Sequence, residues 1–219
     1  RDPELDALAG ENPVSGAVAS EIPSGFASLE AIAAHVAGCR NCPLHSGRTL
    51  TVPGEGNAEA PDLMVIGEGP GADEDAQGRP FVGKAGQLLT KMIEAMGYRR
   101  EEVFIANVVK CRPPNNRTPL PEEMEACLPY LRQQIGLIRP RILIGLGATA
   151  IKGLLGKTAG ITRLRGTWQS YEGIPLMPTF HPSYLLRDPS KKKDVWLDLQ
   201  LVLKALGKEP PQKTGGEKK

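Results

Sequence analysis

The four cysteines are the first residues whose types and spacing indicate chemistry in this 219-residue chain. Cys39 and Cys42 form a C-x2-C pair, and fifteen residues separate Cys111 from Cys127. Four thiolates can bind either a zinc ion or a [4Fe–4S] cluster, and the spacing alone leaves both open. Disulfides are a poorer interpretation, because a domain of this length does not need such cross-links. We therefore predict a closed, structural metal or cluster site.

Three further segments with chemical potential each follow a run of apolar residues. They are GEGPG at residues 67–71, NVVKC at residues 107–111 and TFHPSYLLR at residues 179–187. In an α/β sheet the ligand lies outside the carboxyl ends of the parallel strands. The three segments therefore predict one active site at that edge.

The elements that must position these segments can be read from apolar periodicity and turn residues. Buried strands are predicted at residues 63–66, 103–107 and 141–146, and a hairpin or edge pair at residues 168–171 and 175–180. Amphipathic helices are predicted near residues 28–38, 86–96, 121–138, 148–155 and 195–206. Strands alternating with helices indicate a three-layer α/β/α fold with a mostly parallel central sheet.

The bulk composition sets the outer limits. We expect residues 1–24 to be a disordered tail, residues 25–207 one domain, and residues 208–219 a charged disordered tail. No apolar run approaches the length that spans a membrane, so we expect a cytoplasmic protein. Because the chain begins with Arg1 and not with Met, its natural N-terminus can lie upstream.

Charge gives only weak evidence for nucleic acid, since the net charge is +2 and the pI is near 8.4. The basic residues nevertheless lie beside the motifs. Arg112 and Arg117 bracket a Pro/Asn loop, and Arg187 and the run 191–193 follow HPSYLL. This placement predicts contacts with phosphate groups.

With GEGPGADED, GRPFVGKAG, NVVKCRPPNNR, the four cysteines and HPSYLLR in order, the chain resembles the family 4 uracil-DNA glycosylases over roughly residues 28–206. The resemblance implies a uracil-DNA glycosylase-like fold with a four-stranded parallel sheet, and it favours a [4Fe–4S] cluster over structural zinc. It also implies a monomeric hydrolase of base excision repair, which flips deoxyuridine out of single- or double-stranded DNA and releases uracil.

The resemblance also assigns roles in base recognition. Phe81 is expected to stack on the flipped base, and the Asn107 amide to accept from uracil N3–H and donate to O4, a pattern that cytosine reverses. His181 is expected to donate to uracil O2, where negative charge grows as the bond breaks. Gly67 and Gly69 allow the backbone to approach the base closely.

Activation of the water is the least defined part of the expected mechanism. We expect Glu68 and Glu74 near the active centre, with Asn116 as a possible partner, and Glu68 as a steric block to the 5-methyl group of thymine. The best-known uracil glycosylases carry a water-activating Asp in the turn where this chain has Gly69. The residue that activates the water is therefore left open.

The segment after His181 is expected to contact DNA. Ser183 is predicted to press on the DNA backbone, Leu185 or Leu186 to fill the hole left by the flipped base, and Arg187 to bind a phosphate.

Two other functions are compatible with the same motifs. One is a glycosylase of broader base specificity, and the other is a noncatalytic Fe–S DNA-binding module. A P-loop or dinucleotide site is a poor match, because GEGPG lacks both G-K-[ST] and the G-x-G-x-x-G pattern.

Overall fold

A computed structural model describes residues 23, 25–156 and 160–211 of the chain. The predicted N-terminal tail lies outside these residues except for Pro23, and residues 212–219 of the predicted C-terminal tail lie outside them too. In the described part of the chain, none of the helices has the length and apolar character that crossing a membrane requires.

The strands form one sheet. They are β1 (Glu55–Gly56), β2 (Leu63–Gly67), β3 (Phe104–Asn107), β4 (Ile142–Leu146), β5 (Gln169–Tyr171) and β6 (Ile174–Thr179). Their order is β1-β3-β2-β4-β6-β5, and the four central strands are parallel. The predicted four-stranded parallel sheet is therefore confirmed as the centre. Antiparallel β1 and β5 add an edge strand on each side.

Helices cover both faces of the sheet, as the α/β/α prediction requires. They are α1 (Leu29–Gly38), α2 (Ala72–Gln77), α3 (Lys84–Ala95), α4 (Pro121–Ile138), α5 (Gly147–Leu155), α6 (Ile161–Leu164), α7 (Pro182–Arg187) and α8 (Lys192–Ala205). Local sequence explains two of the starts. The Ser28 hydroxyl accepts the Ala31 N–H at the start of α1, and Pro121 occupies the first turn of α4.

The strands are apolar on both faces because each face packs against helices. Met64 and Ile66 of β2 belong to a core cluster shared with α1, α4 and α5. Leu63 and Val65 point to the other side and pack with α3 and α8. The sheet is thus the middle of three layers, and its carboxyl edge is left free for a ligand.

The end of the domain differs from the prediction. Lys208, assigned above to a disordered tail, lies 2.7 Å from Asp62 Oδ2 and stacks over the Tyr98 ring at 4.3 Å. The described chain continues to Pro211. An ion pair and a cation–π contact therefore connect Lys208, the first residue of the predicted tail, to the domain.

Candidate active site

A pocket of about 700 Å³ opens at the carboxyl ends of the central strands, which is the edge that the sequence predicted. The predicted site residues that line it are Glu68, Gly69, Glu74, Phe81, Asn107, Asn116, Arg117, His181, Ser183 and Arg187. The predicted residues that do not line it are Gly67, Arg112, Leu185 and Leu186.

Asn107 is the last residue of β3 and presents a buried acceptor at the pocket wall. The side chain is 1% exposed, and its Oδ1 has no hydrogen-bond partner among the described residues. An unsatisfied buried carbonyl costs about 1–3 kcal/mol. A ligand with an N–H at this point would remove that cost.

Gly67 lies behind this wall and leaves room for two pocket residues. A Cβ at Gly67 would lie 2.5 Å from Asn107 Oδ1 and 2.4 Å from Phe81 Cζ. Gly69 is also closed to side chains, since a Cβ there would lie 2.7 Å from Val109 Cγ2. The two glycines thus permit the close packing of their neighbours.

Phe81 forms an aromatic wall beside His181. The two ring centroids are 5.6 Å apart, and the ring planes are inclined by 34°. The backbone of Phe81 has φ +51°, in the left-handed region that non-glycine residues rarely adopt. Gly86 packs tightly on this backbone, where a Cβ would lie 1.9 Å from the Phe81 carbonyl oxygen. The ring is therefore held in place by a strained and closely packed loop.

Glu74 holds this loop from the other side. One carboxylate oxygen accepts the N–H groups of Val82 at 2.8 Å and Gly83 at 2.9 Å, and the other accepts the Gly71 N–H at 3.1 Å. Both oxygens are thus engaged by the backbone. A carboxylate that accepts three amides supports the loop, and this arrangement favours a positioning role for Glu74 over the predicted catalytic one.

Glu68 differs from Glu74 although both line the pocket. Within the described residues, its carboxylate makes no hydrogen bond and no ion pair, and the side chain is half-buried. Its backbone carbonyl accepts the Val109 N–H at 3.1 Å, which ties the end of β2 to the end of β3. Glu68 is therefore an acidic group that remains available to a ligand or a water molecule.

His181 caps the N-terminus of α7 through its ring. Nδ1 accepts the Ser183 N–H at 3.1 Å and lies 2.8 Å from Ser183 Oγ. Because Nδ1 is an acceptor, the proton of the neutral ring resides on Nε2, which has no acceptor among the described residues. Burial, aided by the positive charge of Arg187, lowers the pKa of His181 to about 4. The ring is therefore a neutral Nε2–H donor at physiological pH.

The arginines predicted to bind DNA have different environments. Arg117 forms two hydrogen bonds to the buried carboxylate of Glu123, at 2.6 and 2.8 Å. This ion pair argues against Arg117 as a phosphate ligand, because Glu123 neutralises the charge of the guanidinium. Arg112 donates to Asn116 Oδ1 at 2.8 Å. Arg187 is exposed beside Tyr184, with no ion pair in the described part of the chain.

The α7 helix distinguishes between the two leucines that were expected as alternatives. Leu185 is 1% exposed and packs in the core with α3, so it does not fit a contact with DNA. Leu186 is 47% exposed and is the leucine that remains available to fill a gap in a base stack. The N–H and hydroxyl groups of Ser183 both contact the His181 ring. Ser183 therefore positions the histidine, and these groups are already engaged when DNA binds.

The last residue of β4 and the three that follow it were not predicted as part of the site. Leu146, Gly147, Ala148 and Thr149 line the pocket, and Gly147 has φ +86°. A Cβ at Gly147 would lie 3.1 Å from His181 Cβ, so this glycine leaves space for the histidine. The signal was present, because β4 was predicted and its carboxyl end had to meet the same edge.

The four cysteines converge at a second place, away from the pocket residues. Cys111 and Cys127 are buried, Cys39 and Cys42 are partly buried, and all four line one small cavity. Burial raises the pKa of Cys42, of Cys111 and, to about 12, of Cys127. Metal binding here would therefore have to displace protons.

Polar hydrogens surround these sulfur atoms. Arg48 Nη1 donates to Cys111 Sγ at 3.1 Å, the Tyr130 hydroxyl to Cys39 Sγ at 3.3 Å, and the Lys110 N–H to Cys127 Sγ at 3.3 Å. Donors of this kind stabilise the thiolate form that binds metals.

Comparisons with known proteins agree with this geometry. A family model described as the uracil DNA glycosylase superfamily matches residues 53–200. A type-4 uracil-DNA glycosylase of Thermotoga maritima is 51% identical over 168 residues, covering 75% of this chain and 86% of the relative. The Pyrobaculum aerophilum relative of the same name is 49% identical over 173 residues, covering 74% and 87%. That of Sulfurisphaera tokodaii is 47% identical over 184 residues, covering 80% and 83%. The family match contains every residue of the pocket wall.

Proposed function

Since the chain belongs to the type-4 uracil-DNA glycosylases of the uracil DNA glycosylase superfamily, we propose that its pocket receives a deoxyuridine flipped out of DNA. The protein is a uracil-excising DNA repair glycosylase. The observation that carries this proposal is the buried Oδ1 of Asn107, which has no hydrogen-bond partner among the described residues and lies in one pocket with His181.

Base recognition follows from the hydrogen-bonding pattern of uracil. Asn107 Oδ1 is placed to accept the N3–H of uracil, and the ring of Phe81 offers a stacking surface. Cytosine carries a lone pair at N3, so it would leave the acceptor unsatisfied in a buried site. The resulting penalty of about 1–3 kcal/mol discriminates against cytosine.

His181 stabilises the leaving group. As the bond between C1′ of the sugar and N1 of uracil breaks, negative charge accumulates on the base and its O2 oxygen. The Nε2–H of the neutral imidazole donates to O2 and needs no proton transfer. The N-cap bond at Nδ1 keeps the ring in the required tautomer throughout.

Hydrolysis is completed by water, whose oxygen bonds to C1′ as uracil departs as an anion. The water loses one proton to solvent in this step, and the released base takes up a proton from solvent. Glu68 is the acidic side chain of the pocket that makes no hydrogen bond within the described residues, and we assign it the orientation of this water. Asn116 lines the pocket while its Oδ1 accepts from Arg112, which leaves its amide N–H groups for the same water. Glu74 is a positioning residue for the Phe81 loop.

Contact with DNA involves the exposed side of α7. Arg187 has a free guanidinium at the rim of the pocket, which supports a role in phosphate binding. Leu186 is exposed on the same helix and could occupy the space that the flipped nucleotide vacates. We also propose that the protein acts as a monomer on single- or double-stranded DNA.

The cysteine site fits a [4Fe–4S] cluster, and we propose this cofactor, with structural zinc as the alternative. Four free thiols share one cavity, and the sulfur atoms of Cys39, Cys111 and Cys127 accept polar hydrogens. Four cysteine thiolates are a ligand set that either a [4Fe–4S] cluster or a zinc ion accepts, and we favour the cluster because the chain belongs to the type-4 family. When bound, the cluster would supply a cross-link between chain segments and a net negative charge, and we assign it no step in hydrolysis.

The proposal is tested by the choice of base. Iron-loaded protein is incubated with single-stranded oligonucleotides that carry one deoxyuridine, thymidine or deoxyinosine, and the free base is quantified. Release of uracil alone is the expected result. Release of hypoxanthine or thymine at a similar rate would indicate a broader glycosylase, and binding without any base release would indicate a noncatalytic module.

A further inference from the structure

Lys110 is a fully buried cation that the proposed reaction does not use. Its side chain is 0% exposed, and its Nζ donates to the main-chain carbonyl of Asn107 at 2.8 Å and to Gln134 Oε1 at 2.6 Å. Both partners are neutral. A buried ammonium without a counter-charge is costly, so its presence here requires compensation.

The compensation lies in the cysteine site. Within the described residues no carboxylate pairs with Lys110, whereas its own backbone N–H donates to Cys127 Sγ and the residue is one of those that line the cysteine cavity. Four thiolates bound to a cluster carry a net negative charge. The ammonium therefore lies between the negative site on one side and the end of β3 on the other.

Gln134 makes this arrangement rigid. It is buried on α4, the helix that also carries Cys127, and its Nε2 donates to the Pro53 carbonyl at 2.7 Å. The donation by Nε2 sets the orientation of the amide, so that its Oε1 faces Lys110 and accepts from the ammonium. The Asn107 carbonyl is thereby held by a donor whose own position depends on α4.

We propose that Lys110 is a positioning residue that links the cysteine site to base recognition. Its ammonium fixes the main chain of Asn107, and so the direction of the Asn107 amide, while its charge is balanced by the thiolates. The inference rests on the proposed function, because it takes Asn107 as the residue that recognises uracil and the cysteines as cluster ligands.

The first test is the variant Lys110→Met, which keeps the length of the side chain and removes its charge and donors. Single-turnover excision of uracil should fall by about tenfold or more, as for loss of a hydrogen bond to a charged group, while the Kd for DNA changes by about twofold or less. The reduction potential of the bound cluster should become more negative, because a nearby positive charge no longer stabilises the reduced form. Lys91→Met, at an exposed position of α3, is the matched control and should change neither quantity.

The variant Lys110→Arg separates charge from contact. It retains the positive charge, so iron content and reduction potential should stay at the wild-type values, while the different shape of the guanidinium disturbs the bond to Asn107 and lowers the rate. If Lys110→Met is recovered without iron, the Lys110→Arg variant is used to test the proposal. Iron retained at the wild-type potential supports the proposal, and iron lost here as well overturns it.

The proposal is also overturned by an iron-replete Lys110→Met protein with either the wild-type rate or the wild-type potential. Failure of the proposed function would look different, since the wild-type protein itself would then release no uracil. The potentials of the variants would still show whether Lys110 balances the charge of the cysteine site.

Discussion

At the scale of single residues, the pocket contains groups that face the ligand and groups that hold those residues in place. Asn107 and His181 present one unsatisfied acceptor and one free donor. The Glu74 carboxylate accepts backbone N–H groups, and Ser183 forms hydrogen bonds with the His181 imidazole. The division matters because only the first pair can discriminate between bases or respond to charge that develops during the reaction.

The acceptor is tested by Asn107→Asp. We expect uracil excision to fall by about a hundredfold, because the donor to O4 is lost and a buried carboxylate is introduced. Activity on cytosine should rise relative to uracil, since a carboxyl group matches the N4 amino group. Single-turnover rates on both substrates are the measurement. Asn57→Asp makes the same change in a turn where Asn57 Oδ1 accepts the Glu59 N–H. This control variant should leave both single-turnover rates unchanged. An unchanged preference for uracil would show that another group recognises the base.

The donor is tested through the protonation of His181. In protein with isotope-labelled histidine, we expect His181 to remain neutral, with the proton on Nε2, down to about pH 5, since its pKa is about 4. The unfolded chain, with a histidine pKa of about 6.5, binds a proton more readily between these values. His181 therefore destabilises the fold as the pH falls from 6.5 towards 4. An imidazole that titrates near pH 6.5, or that carries its proton on Nδ1, would contradict the proposed donor.

The sequence could predict which residue types reach the pocket but not how each one is used. Glu68 and Glu74 are both acidic residues near the same turn. The structure is needed to show that three backbone N–H groups donate to the Glu74 carboxylate. The sequence likewise suggests Arg117 as a phosphate ligand, whereas in the structure Arg117 forms an ion pair with Glu123. Pairings of this kind depend on loops whose paths the sequence does not specify.

At the scale of elements, β2 and β3 bring Gly67, Asn107 and the Phe81 ring into contact at the carboxyl edge. Gly67 pairs with Asn107 in the parallel register, and its missing side chain makes room for the Asn107 amide. The strand pair therefore sets the depth of the pocket.

The close packing of Phe81 and Asn107 against Gly67 is tested by Gly67→Ala. The added methyl group must displace Phe81 or Asn107, so we expect single-turnover excision of uracil to fall by about a hundredfold. The fold should be retained, because the change is at the end of a strand. Gly136→Ala is the matched control on α4, where a Cβ meets nothing within 4 Å. It should leave activity unchanged and stabilise the protein by about 0.5–1 kcal/mol. Full activity of Gly67→Ala would contradict the packing described.

The predictable elements were those with a strong apolar signal. β2, β3 and β4 are continuous apolar runs, as expected for strands buried on both faces. The α2 helix was missed because its sequence, ADEDAQ, has no apolar face, and Glu74 supports its N-terminus through Gly71. The two-residue β1 was missed because so short a strand leaves no periodic pattern.

At the scale of the whole molecule, the cysteines connect segments that are distant in sequence. Cys39 and Cys42 follow α1, Cys111 lies in the loop after β3, and Cys127 is on α4. A cluster bound to all four would cross-link one helical layer to the sheet.

Removal of iron should therefore destabilise the fold. Chelation under oxidising conditions should lower the thermal midpoint by about 10 °C or more, because binding free energy at a structural site contributes to folding. The visible absorbance should disappear together with the iron, and reconstitution with iron and sulfide should restore both properties. A colourless, zinc-containing protein, or an unchanged midpoint after iron loss, would contradict the proposed cofactor.

The most direct test of the account is single-turnover release of free uracil from a labelled single-stranded oligonucleotide with one deoxyuridine. The wild-type protein and His181→Ala are compared, with a thymidine oligonucleotide as control and DNA binding measured in parallel. We predict alkali-sensitive cleavage at deoxyuridine alone, with His181→Ala slower by about a hundredfold or more and DNA binding nearly unchanged. No release of uracil by iron-loaded wild-type protein would contradict the proposed function, and equal losses of rate and binding would remove His181 from the transition state.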